Sequence, residues 1–131
     1  MLPQSKGLMS PLLSPDGNYI VALSMSGEGT AVLLDLKAGT RTELVKSGLG
    51  SLVGWSRDSR YFYYCHLGEA SLEIYRLAIS NRKVEAVGNL VNLRLVNGLS
   101  GYWMGLAPDE SPMFARDVGT RDIYALDWEA P

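Results

Sequence analysis

A four-residue turn that returns twice constrains this chain more than any other feature. Ser14-Pro15-Asp16-Gly17 precedes the apolar run Tyr19-Ile20-Val21-Ala22-Leu23. Ser56-Arg57-Asp58-Ser59 precedes Tyr61-Phe62-Tyr63-Tyr64, and Ala107-Pro108-Asp109-Glu110 precedes Pro112-Met113-Phe114-Ala115. A large apolar residue stands before each copy: Leu13, Trp55 and Leu106. Proline presets φ, aspartate bonds its own backbone, and glycine takes positive φ, so Asp16, Gly17, Asp58 and Asp109 are expected to serve as structural turn residues. Repetition at a fixed period is the signature of a stacked-repeat architecture.

Short runs of strand-forming residues fill the space between turns. In the first repeat they are Met9 to Leu13, Tyr19 to Leu23, Ala31 to Leu36 and Thr42 to Lys46, separated by turns at 26–29 and 37–40. In the second they are Ser51 to Trp55, Arg60 to His66, Leu72 to Ala78 and Arg82 to Val87, the last alternating charged and apolar residues as an outer strand does. The third is incomplete, with Gly101 to Leu106, Ser111 to Arg116 and Thr120 to Trp128. Ser14 and Ser56 are 42 residues apart, Ser56 and Ala107 are 51 apart, and the excess falls in Asn89 to Gly98. A unit of about 40–45 residues with four strands predicts an all-β propeller segment of three four-stranded antiparallel blades, the last lacking its outer strand. The expected blades are 8–47, 50–88 and 101–129.

Composition sets outer limits. The chain has 131 residues, 47% of them hydrophobic, which suffices for a core. A formal charge of −2 with scattered Lys and Arg argues against a nucleic-acid surface. No run has the length of a membrane helix, and the N-terminus lacks the pattern of a signal peptide, which leaves a cytoplasmic or periplasmic location equally open. The one cysteine, Cys65, can make no intrachain disulfide and reads as a buried strand residue. No cofactor and no metal is implied. Asp16, Asp58 and Asp109 suit turn bonding better than metal ligation, and the one histidine, His66, has no Gly-x-Ser-x-Gly elbow to serve.

The turns and the runs Ile74-Tyr75-Arg76-Leu77 and Ile123-Tyr124-Ala125-Leu126 resemble the TolB-like, WD-related β-propeller repeat. Gly105 to Asp109, Arg116-Asp117 and Tyr124 to Glu129 also resemble the last blade of propellers in large bacterial signalling proteins. The resemblance implies a non-catalytic scaffold for ligand or protein binding, the C-terminal sensor or interaction part of a larger regulator. The alternatives are the propeller portion of a hydrolase gating a separate catalytic domain, and a periplasmic TolB-like protein-interaction module.

First strands of blades line a propeller's channel, so Trp55, Tyr102 and Trp103 are the candidate channel or binding surface, with packing between blades as the competing reading for each tryptophan. Gly54 and Gly105 occupy equivalent positions where strands approach closely. Three blades do not close a ring, since propellers have 4–8. Open edges recruit other chains, and Leu2 to Lys6 aligns in register with the end of a fourth strand. Residues 2–6 are therefore a candidate closing strand, exchanged between two copies in a homodimeric six-bladed ring, with an open fragment whose missing half lies upstream in the parent gene as the competing reading. The ligand or protein partner stays unspecified.

Overall fold

The computed structural model describes residues 4–26, 29–46, 49–67, 71–98 and 101–120. All regular structure among them is β, in twelve strands and antiparallel sheets. The first sheet contains β1 (Leu8–Leu13), β2 (Tyr19–Ser24), β3 (Ala31–Asp35) and β4 (Thr40–Val45) in sequential order. The second contains β5 (Leu49–Trp55), β6 (Tyr61–Leu67), β7 (Ser71–Ala78) and β8 (Val84–Val91), also sequential. Two meanders joined by tight turns follow from strand-forming runs too short and too closely spaced for crossover connections.

Burial explains which strands sit where. Ala31 to Leu34 in β3 are all buried, as are Phe62 to Cys65 in β6. Both faces of these central strands are covered, so their sequences read as continuous apolar runs rather than alternating ones. The outermost strand β4 carries Thr40, Arg41, Thr42 and Glu43 into solvent. The main core lies between the two sheets: Val21, Ala31 and Leu33 from the first meet Leu49, Phe62, Tyr64, Leu77 and Ile79 from the second. Each large apolar side chain buried there contributes about 1.5–3 kcal/mol.

The opposite face of the first sheet is covered too. Ile20 pairs with Leu34 and Ala22 with Val32, which puts these four on the face turned away from the second sheet. Ala22, Val32 and Leu34 are nonetheless buried. The segment before β1 runs across this face. Gly7 accepts a hydrogen bond from the Met25 amide at 2.8 Å beside the inner strands. Three residues earlier, the Gln4 amide nitrogen Nε2 donates to the Gly39 carbonyl at 2.6 Å, at the start of the outer strand. Arg41, opposite Leu34 in register, donates to the carbonyls of Lys6 (3.2 Å) and Gln4 (3.4 Å). A segment tied to both edges must cross one face, and the second sheet occupies the other. Gln4 to Lys6 of the expected closing strand thus lie on their own first sheet, while residues 2 and 3 fall outside the described residues.

The third unit departs from expectation. The strand expected over Gly101 to Leu106 divides into β10 (Gly101–Tyr102), paired with β9 (Asn97–Gly98), and β11 (Met104–Leu106), paired with β12 (Pro112–Phe114). Trp103 marks the division. Its amide donates to the Val96 carbonyl at 3.2 Å, and its carbonyl accepts the Ala115 amide at 2.9 Å. The physical cause is the extra length before this unit. Part of it extends β8 to Val91, beyond the expected end of the second blade, and part supplies residues 94–98 as a competing partner, with Leu95 bridging Arg116. The strand expected over 120–128 lies, apart from Thr120, outside the described residues.

Candidate functional site

The three turns share one conformation and one internal circuit. Their fourth residues all have positive φ: Gly17 at 72°, Ser59 at 61° and Glu110 at 67°. In each, the aspartate Oδ1 accepts the backbone amide two residues on, from Asn18, Arg60 and Ser111, all at 3.0 Å. Ser14 and Ser56 are buried and act as caps. Their Oγ atoms donate to Asp16 (2.6 Å) and Asp58 (2.7 Å) and accept the amides of Tyr19 and Tyr61 at 2.9 Å. The third copy has Ala107 at the cap and Pro112 in the place of the tyrosine. Proline has no N–H to satisfy, so the missing serine leaves no orphan.

These bonds account for the electrostatics. The Ser14 hydroxyl and the Asn18 amide hold the Asp16 carboxyl down at about 2. The Arg60 guanidinium, 2.9 Å away, with the Ser56 hydroxyl, holds Asp58 at about 2. Ser111 lowers Asp109 in the same way. Asp16 and Asp58 share a cleft of about 400 Å³ between the first two turns with Asp35, Arg60 and Arg82. Asp35 is itself engaged, accepting the amides of Lys37 (3.0 Å) and Ala38 (2.8 Å). Among the described residues no group of three His, Cys, Asp or Glu side chains is arranged to hold a metal ion.

The second and third turns each also reach back to the one before. Ser59 Oγ accepts the Asp16 amide at 3.0 Å, and Glu110 Oε1 accepts the Arg57 amide at 2.9 Å. The acceptor is the positive-φ residue in both cases. The donor shifts by one position because Pro15, at the place of Arg57, has no amide hydrogen. Sequence reasoning passed over Ser59 and Glu110; the signal was a side chain standing where the first copy has glycine, at a backbone conformation that side chains disfavour.

Trp55 lies in the seam between the first and second sheets. Its indole N–H donates to the Leu12 carbonyl at 3.0 Å, and its ring stacks near Tyr19 (centroids 6.3 Å) and meets Phe62 edge-on (5.3 Å). Trp103 is 66% exposed on the third unit, and Tyr102 is half-buried in the β9–β10 pair. A Cβ on Gly54 would sit 3.6 Å from Leu106 Cδ1, whereas one on Gly105 would meet nothing within 4 Å. Cys65 is fully buried, and burial pushes its thiol up to about 11, which removes it from nucleophilic use. His66 stands edge-on to Tyr75 at 6.5 Å.

No protein-family model and no curated protein matches the sequence. Among solved structures, the chain is similar to the crystal structure of TolB from Acinetobacter baumannii, with a TM-score of 0.61 and 24% identity over 79% of this chain. Putative 6-phosphogluconolactonases from Bacteroides uniformis and Bacteroides fragilis superpose at TM-scores of 0.45 and 0.44, with 12% and 14% identity, over 86% and 87% of this chain and 39% and 38% of theirs. The chain spans 25% of the TolB structure's length. Its antiparallel sheets thus form a TolB-like, β-propeller-like fold.

Proposed function

We propose that this chain is a three-bladed propeller segment acting as a non-catalytic scaffold for ligand or protein binding, the C-terminal sensor or interaction part of a larger bacterial regulator. One observation carries the reading. The side chains richest in chemistry, the turn aspartates, are closed on their own turns, while apolar surface stands open at Trp103 and Met113, 66% and 51% exposed. Surface of that kind suits association rather than proton transfer. The fold likeness to TolB supports a protein-interaction module as the second reading, its periplasmic setting included in that proposal.

Two results test this. Purified chain assayed against ester, amide and phosphoester substrates should give no turnover; turnover lost in His66→Ala overturns the scaffold reading. The coding sequence ahead of this segment in the parent gene separates the finer alternatives. A winged-helix or kinase domain there supports the regulator, a serine-hydrolase domain supports the gating propeller, and a leader peptide supports the periplasmic module.

A further inference from the structure

The face of the second sheet that turns toward the first carries two neighbouring rows of side chains, each crossing three strands. Tyr64, Tyr75 and Ala86 stand opposite one another in register, and so do His66, Glu73 and Asn89. Tyr64 belongs to the core between the sheets and Tyr75 packs against it. Residues two apart on a strand and partners across strands share a face, so both rows lie on this side. The first sheet covers only part of it: Tyr64 is buried, whereas Ala86 and Asn89 on β8 are exposed. A groove of about 320 Å³ is left there, lined by Glu73, Tyr75, Ala86, Gly88 and Asn89. It lies in the seam between the first two sheets, so its neighbour on that side is the first sheet itself. Two features open it. The residue beside Tyr75 on β8 is as small as alanine, and a bulge interrupts the pairing of β7 with β8 between Ile74 and Tyr75. Val87 is the extra residue. A Cβ on Gly88 would sit 3.8 Å from Ile74 Cδ1, on the opposite face, so Gly88 offers main chain to the groove.

Glu73 is the half-buried carboxylate of this groove. The Tyr75 hydroxyl donates to its Oε2 at 2.6 Å, and that bond pushes the hydroxyl above its ordinary value, which keeps it protonated. No cation compensates the charge among the described residues, where the ion pairs join Arg60 to Asp58, and Arg76 and Lys83 to Glu85. The Tyr75 ring is fixed by stacking against Tyr64, with centroids 5.7 Å apart, and by His66 edge-on. The groove thus presents Glu73 Oε1, Tyr75 Oη and the Asn89 carboxamide as acceptors, beside an aromatic ring and an unpaired negative charge. We infer that it binds a primary alkylammonium group, with the ammonium on Glu73 and the alkyl stem over Ala86 and the Tyr75 ring. An ammonium brings three N–H donors and a compact charge to a site of acceptors, and the ring attracts it further. A guanidinium fits less well, because its fork needs both carboxylate oxygens and Tyr75 occupies one. An anion is repelled by the uncompensated carboxylate. The group comes from a partner's lysine side chain or from a free alkylamine. The site deepens the binding reading above and rests on it, yet not on the absence of catalysis. Turnover by the chain would overturn the non-catalytic scaffold and leave this site standing, whereas failure of the titration below removes the site alone.

The test is a titration of the full, isotopically labelled chain with n-butylammonium chloride at neutral pH, followed through its backbone amide shifts. Saturable shifts should centre on residues 86–89, and n-butanol, of the same shape without the charge, should bind at least about tenfold more weakly. Glu73→Gln keeps an acceptor for Tyr75 and removes the charge, and should lose at least about tenfold in affinity. Ala86→Leu fills the groove from an exposed position and should lose as much, which keeps the site testable should Glu73→Gln fail to fold. Amide shifts unchanged outside the groove show that a variant has folded. A blocked pentapeptide with lysine at its centre and glycine elsewhere separates the two sources. Binding at least about tenfold tighter than that of butylammonium, as added main-chain contacts give, supports a partner's lysine; equal or weaker binding supports a free amine. Shifts that do not saturate, equal binding of n-butanol, or folded variants that bind like wild type would each overturn the inference.

Discussion

The seam between the first and second sheets and the seam between the second sheet and the third unit are introduced by the same turn, yet they differ in what stands behind it. In the first, Trp55 is held by a hydrogen bond and two aromatic contacts and opens onto a core built from both sheets. In the second, Leu106 rests on a glycine, and the strand it ends is three residues long. The turn-to-turn bond is present in both, from Ser59 and from Glu110. The aspartate bond and the positive φ of the turn therefore repeat even where the serine cap and the core behind it do not. The turn needs a few neighbouring residues to agree, whereas the seam needs two sheets of matching length.

Trp55→Ala breaks the comparison most severely. It should cost about 3–5 kcal/mol, the range for removing a large aromatic from a core, read as a lowered midpoint in urea unfolding. Ser56→Ala comes next. It orphans the Tyr61 amide beneath a buried cap and should cost about 1–3 kcal/mol, whereas Ala107 already fills that position in the third turn without penalty because Pro112 has no amide hydrogen.

Acid should expose the same difference more gently. Asp16 and Asp58 are held at about 2, below their ordinary value. A depressed carboxyl stabilises the fold above its unfolded pKa of about 4, and loses that contribution as pH falls through the folded value. Thermal unfolding followed by circular dichroism should show a melting temperature that is flat from neutral pH to about 4 and declines toward about 2, with a shallower decline in Asp58→Asn. Trp103→Ala should be the mildest change, within about 0.5 kcal/mol, as for a surface substitution; a loss comparable to that of Trp55→Ala would mean that the third unit carries a core after all.

Much of this was legible in the chain. The turns announced themselves through Pro15, Asp16 and Gly17, because the residues that set φ and close the Asx bond act within a few positions. The central strands β3 and β6 read as apolar runs because both of their faces are covered. Trp103 was not legible as a break point. Its change of partner depends on residues 94–98 reaching it from a loop, and no periodicity of 101–106 reports that. Leu2 to Lys6 aligns with the end of a fourth strand, but the place of Gln4 to Lys6 across the first sheet depends on Arg41 and Gly39, more than thirty residues away. Trp55 is half-buried against the core between two full sheets, whereas Trp103 is 66% exposed, and that difference depends on what packs beside each rather than on the local sequence.

Amide hydrogen exchange on the native chain, read strand by strand, tests the contrast between the two seams most directly. Exchange reports local opening free energy, and the slowest amides belong to the most cooperative core. The structure places the slowest exchange in β2, β3, β6 and β7, with β9 to β12 several orders of magnitude faster in rough terms. Protection in β11 and β12 equal to that in β6 and β7 would contradict the account, because it would require a third unit packed as fully as the first two.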